Sequence, residues 1–74
     1  MSLVDIQLIE GVFSPDEKAD MIEKVTNAMV TIGGEPMRGL TWVRVHEVAE
    51  GAWGIGGKRL MASDLLSLTK GAAL

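Results

Sequence analysis

From Leu3 to Ile9 the chain alternates, with Val4, Ile6 and Leu8 to one side and Asp5 and Gln7 to the other. A period of two over this length predicts a half-buried strand, ended by Glu10-Gly11. The period then changes. Ser14-Pro15-Asp16-Glu17 offers Ser as N-cap, Pro in the first turn and Glu at the position that closes a capping box. Ile22, Val25, Met29 and Ile32, joined by Met21 and Ala28, recur at helical spacing opposite Asp20, Glu23, Lys24 and Asn27. They predict an amphipathic helix of about 18 residues, roughly 27 Å long, stopped at Gly33-Gly34. Residues 35–39 read as a loop. Leu40 to Val48 alternates again, with Thr41, Val43, Val45 and Glu47 on one side and Trp42, Arg44, His46 and Val48 on the other. Strand, helix, strand predicts a βαβ unit with parallel strands and a right-handed crossover. The stretch Gly51 to Gly57 is glycine-dense and predicts a tight hairpin with positive φ. Beyond it, Leu60, Met61, Leu65, Leu66 and Leu68 fit either a short amphipathic helix or an arm lying on a neighbour. The fold class is therefore α/β (α+β): a βαβ protomer with a C-terminal hairpin.

Composition adds the need for company. The chain has 74 residues, 47% of them hydrophobic, and a domain this short buries only about 60% of the surface its unfolded chain exposes. Small domains are usually stapled by disulfides, a metal or a partner. There is no cysteine and a single histidine, His46, so no metal or cofactor is expected and association is. Two strands and one helix leave open edges and a bare sheet face, which dimerisation by sheet extension would cover. No apolar run reaches a membrane-spanning length, and Asp5 and Glu10 without a basic leader do not fit a signal peptide. The expectation is a cytoplasmic protein with no membrane partner. A net charge of −3, with only Lys58 and Arg59 adjacent, argues against nucleic acid, whose binding needs clustered cations. Asp5 in the first strand likewise disfavours a ribbon-helix-helix DNA binder.

Few residues point to chemistry. The glycine stretch is not a phosphate cradle: Ala52 stands where a Walker A loop needs Gly, and Arg59 where it needs Ser or Thr. Asp16, Glu17, Asp20 and Glu23 crowd the N-terminal half of the helix, where negative charge is favoured by the dipole and solvated. His46 has no identifiable partner, and Trp42 and Trp53 are core or interface types. Arg44, between Val43 and Val45, stands out. A mid-strand guanidinium needs a carboxylate, either a structural one or that of a ligand.

Taken in order, Ile9-Glu10-Gly11, Ser14 to Lys18, Glu35-Pro36, Val43-Arg44-Val45 and Gly51 to Gly57 resemble the 4-oxalocrotonate tautomerase family over about residues 2–60. The resemblance implies a tautomerase-like domain over residues 1–60 and a tail, residues 61–74, packed on a neighbouring subunit. It implies a dimer with a four-stranded sheet and two helices, and a hexamer built as a trimer of dimers. It further implies an isomerase of aromatic degradation that moves a proton within small unsaturated keto or dienol acids. In the family the base is an N-terminal proline, neutral because an apolar pocket lowers its pKa. Two arginines hold the substrate's oxygens and an aromatic residue walls the pocket. Trp53 matches that wall. Arg44 matches the strand arginine if the register is set by Val-Arg-Val, and Trp42 takes the position if the glycine stretch sets it.

Two departures fall on the catalytic apparatus. Ser2 stands where the proline belongs, and Val12-Phe13 replaces the arginine expected after Glu-Gly. The reading that follows is a non-catalytic partner chain of a heterohexamer, supplying Arg44 to an active site whose base comes from a proline-bearing paralogous chain. The alternative is a homohexamer of low activity, in which Ser2, freed of Met1, offers a primary α-amine of reference pKa about 7.7–8.0 as the base.

Overall fold

Alternation in the first segment becomes strand β1, Ser2–Ile9, in a computed structural model that describes residues 1–68. Val4, Ile6 and Leu8 are half-buried while Leu3, Asp5 and Gln7 are exposed, as a period of two requires. Helix α1 spans Pro15–Gly33. Its start is the expected capping box: Glu17 N–H donates to Ser14 Oγ at 3.1 Å, and Ser14 N–H donates to Glu17 Oε1 at 2.9 Å. It stops at Gly34, whose N–H donates to Val30 O at 2.8 Å.

The buried stripe of α1 differs from the one the spacing suggests. Val30 is the one buried residue, with Met21, Val25 and Met29 half-buried. Ile22 is 42% exposed and Ile32 86% exposed. Hydrophobicity alone assigned these isoleucines inward, but a helix in one chain has a single covered stripe, and they lie off it. The segment expected as a loop is a short 3₁₀ helix, Glu35–Leu40. Arg38 ties it down: Nε donates to Glu35 Oε1 at 2.7 Å and Nη1 donates to Asn27 Oδ1 of α1 at 2.9 Å.

Strand β2 is Thr41–Val48 and pairs with β1. Contacts rise together along both strands, from Ser2 with Thr41, through Asp5 with Arg44, to Glu10 with Val48, so the pair is parallel. The predicted hairpin is β3, Trp53–Ile55, against β4, Lys58–Leu60, antiparallel with Trp53 opposite Leu60 and Ile55 opposite Lys58. Its two-residue turn, Gly56-Gly57, has φ of 59° and 83°, the positive pair that a type I′ turn demands. Within the tail, Ala62–Leu66 forms a short helix, α2, and residues 69–74 of the expected arm lie outside the described residues.

The chain divides into two compact units. One holds Met1–Ile6 and Ser14–His46; the other holds Gln7–Phe13 and the described residues from Glu47 onward. Each has a thin core. Val30 is the buried hydrophobic residue of the first unit, and Ile9 and Ala62 are those of the second.

Candidate functional site

In the first unit the chemistry lies on the exposed side of the strand pair. Leu3 and Asp5 of β1 and Trp42, Arg44 and His46 of β2 all face away from the half-buried side. The parallel register sets Asp5 beside Arg44. Arg44 Nε donates to Asp5 Oδ1 at 2.8 Å and Nη2 donates to Oδ2 at 3.1 Å, the fork-on-fork geometry of a bidentate pair. His46 Nε2 lies 3.4 Å from Asp5 Oδ1. The Arg44 guanidinium holds the Asp5 carboxyl below the ordinary aspartate value; His46 adds to this and partial desolvation opposes it. The same pairing raises Arg44 further above its already high value. Arg44 thus has the intrachain carboxylate that its mid-strand position demands.

Ser2 opens β1 half-buried, its hydroxyl donating to Thr41 Oγ1 at 3.4 Å, while Thr41 Oγ1 donates to Met37 O at 2.8 Å. It is three residues from Asp5 along an extended strand, roughly 10 Å. Ser2 and Arg44 therefore take different partners. Trp42 stands 56% exposed on the Arg44 side of β2.

In the second unit a cavity of about 230 Å³ opens. The end of β1 contributes Gln7, Leu8 and Ile9, and the turn after it contributes Val12 and Phe13. The hairpin adds Trp53, Ile55 and Leu60, and α2 adds Leu65. Trp53, matched to the aromatic wall, does line a pocket. Val12 and Phe13, where an arginine was expected, line the same pocket as apolar wall. Of the lining residues the sequence reading placed only Trp53 at a site; Leu8, Ile9, Ile55, Leu60 and Leu65 were missed, because apolar side chains carry no chemical signal and the tail's pattern did not fix its conformation. Hydrogen bonds tie the ends of the hairpin and the start of α2 together: Arg59 Nε donates to Gly51 O at 2.9 Å, Gly51 N–H donates to Leu60 O at 2.9 Å, and Ala62 N–H donates to the Glu50 carboxylate.

Among the described residues no cluster of three His, Cys, Asp or Glu has the geometry to hold a metal, and no helix is long and apolar enough to cross a membrane.

Comparison with known proteins agrees with this architecture. The family model described as tautomerase enzyme matches residues 3–63. Among solved structures, the chain is similar to 4-oxalocrotonate tautomerase isozymes from Methylibium petroleiphilum, with 40% identity, a TM-score of 0.68, and 85% of this chain and 95% of the other covered. It is also similar to a crystal structure of a 4-oxalocrotonate tautomerase homologue, with 28% identity, a TM-score of 0.69, and 86% and 95% of the two chains covered. No curated protein matches the chain.

Proposed function

Because the chain belongs to the tautomerase enzyme family, we propose that it is the non-catalytic subunit of a hetero-oligomeric keto–enol tautomerase for small unsaturated 2-oxo acids and their dienols. The observation that carries this reading is the cavity lining, which among the described residues holds one polar side chain, Gln7, and no acid, base or cation. Tautomerisation moves one proton. A base takes it from the dienol hydroxyl, the oxygen becomes the ketone, and the proton returns to a carbon at the far end of the shifted double bond. Such a base works best with a pKa near the operating pH, and the described residues that line this cavity include no group of that kind. A neighbouring chain with an N-terminal proline would supply it.

What this chain offers is binding. A guanidinium has two bidentate edges. Asp5 takes Nε and Nη2 of Arg44, which leaves the Nη1 edge to receive a substrate carboxylate while Asp5 keeps the plane fixed. Trp42 on the same side of the strand gives a flat apolar surface beside it, and Trp53 walls the cavity. The assembly that joins these parts is a hexamer of this chain and its paralogue.

A second reading has its own observation. Ser2 is the first residue of β1 and is held by Thr41, so removal of Met1 leaves an α-amine on an ordered strand end, available as a base in a homohexamer.

Native mass spectrometry of the protein from its own host separates the two, since the first requires a second chain. Kinetics test the shared core. The isolated chain should turn over a dienol acid slowly. Ser2→Pro with Met1 removed should raise the rate, by up to the 10²- to 10⁴-fold that one positioned base is worth. An unmodified homo-oligomer that turns over the dienol acid rapidly, with no gain from Ser2→Pro, rules out the partner-chain reading.

A further inference from the structure

Arg44 and Asp5 have a third neighbour, His46, two residues beyond Arg44 on the same side of β2. Its Nε2 lies 3.4 Å from Asp5 Oδ1, the atom to which Arg44 Nε donates at 2.8 Å. Arg44 favours the ionised form of Asp5, and an ionised carboxylate only accepts. Nε2 therefore carries the hydrogen of this contact, and Nδ1 is the ring atom that gains or loses a proton. Among the described residues, Nδ1 of His46 and Nη1 of Arg44 have no hydrogen-bond partner, and both side chains are about half exposed. The charges acting on the cluster among the described residues are its own: Asp5 of β1 responds to Arg44 and His46, and Arg44 to Asp5. Glu47, the next residue of β2, alternates to the other side of the strand.

Charge decides what this arrangement does. With a neutral imidazole, one guanidinium faces one carboxylate and the cluster has no net charge. A ligand carboxylate on the free Nη1 edge of Arg44 then sets two anions against one cation. A proton on His46 Nδ1 cancels the excess. It also makes the contact to Asp5 charge-assisted and turns Nδ1 from an acceptor, which a carboxylate avoids, into a donor. We propose that His46 is a second binding residue of the Arg44 site, and that this site takes a ligand carboxylate together with one proton drawn from water. The proposal rests on the tautomerase reading for the 2-oxo acid as ligand, and on the Asp5, Arg44 and His46 geometry alone for the proton. Imidazole is the side chain whose charge ordinarily changes between about pH 5 and 8. Affinity therefore rises as pH falls through that range, and by linkage the bound anion favours the protonated ring.

Calorimetric titration of the full-length protein with 3,3-dimethyl-2-oxobutanoate, a 2-oxo acid with no enolisable hydrogen, tests the site without turnover. Binding should be about fivefold tighter at about pH 5.5 than at about pH 8, the low end for linked sites, because half-exposed charges are screened. Between those values, titrations in two buffers of different ionisation heat should reveal proton uptake. His46→Gln keeps a donor but does not titrate. It should bind at both pH values as weakly as the unmodified protein does at the higher one, with no uptake. Arg44→Gln should abolish binding, and Arg44→Lys should keep part of it, as a point charge without the fork. An affinity that does not change with pH, a pH dependence retained in His46→Gln, or no binding at either pH overturns the proposal. Turnover of a dienol acid by the Ser2→Pro protein keeps the two readings apart. If binding takes up a proton and no dienol reacts, the tautomerase reading fails and the site stands. If the dienol reacts and binding ignores pH, the site fails and the tautomerase reading stands.

Discussion

Arg44 and Asp5 are 39 positions apart in the chain, and only the pairing of β1 with β2 makes them neighbours. Once paired, they set each other's charge. Asp5 has a depressed folded-state pKa because Arg44 donates to both its oxygens. The folded chain thus holds the Asp5 carboxylate more tightly ionised than the unfolded chain does. The resulting stability is fully present above the unfolded value, about 3.9, and is lost as pH falls through the lower folded value. Carbon-detected NMR titration should show Asp5 titrating below an ordinary aspartate, with Arg44→Ala returning it toward that value. An Asp5 that titrates alike in both proteins contradicts the pairing. Glu35 should behave in the same sense, since Arg38 donates to its carboxylate. The residue types were legible in the sequence as a mid-strand arginine in need of an anion. The identity of that anion was not, because a strand's partner across a parallel crossover depends on register.

Among the elements, the C-terminal hairpin was the most legible, since glycine is the residue that admits positive φ at little cost. Gly51, just before β3, is constrained twice. Its φ is 78°, and a Cβ there would stand against the Arg59 guanidinium. Gly51→Ala should therefore cost about 1–2 kcal/mol for the left-handed backbone and also displace the Arg59 contact to Gly51 O. Gly56→Asn is the comparison, because nothing lies near Gly56 and Asn tolerates the left-handed region. Thermal melts should rank wild type and Gly56→Asn close together and Gly51→Ala below them. A Gly51→Ala protein as stable as wild type would mean the turn relaxes by another route. Helix α1 was legible at both ends, from Ser14 and Glu17 at its start and Gly33-Gly34 at its stop, because caps are local chemistry. Its inward face was misjudged at Ile22 and Ile32, because a hydrophobic position records a preference for burial and not which body provides it.

At the scale of the molecule, the single chain leaves a great deal of hydrocarbon in water. No large side chain among the described residues is fully buried, while Leu3, Ile32, Trp42, Ile55 and Leu68 each keep more than half of their surface exposed. A chain of 7.9 kDa with that surface is expected to associate, because contiguous apolar patches on stable monomers are small. Analytical ultracentrifugation at micromolar concentration should give a mass that is a multiple of one chain, with six as the expected number. A well-folded 7.9 kDa species would show that these side chains need no partner. The sequence by itself determined what depends on near neighbours: strand and helix periods, the capping box, the glycine turn, and the order of motifs that carries the family. The tertiary structure decided what depends on residues distant in the chain. It gave Arg44 to Asp5, and it turned Val12 and Phe13 into the walls of one cavity with Trp53 and Leu65. The physical reason is that local propensities act over a few bonds, whereas ion pairing and cavity shape are set by which strands, turns and helices fold against each other.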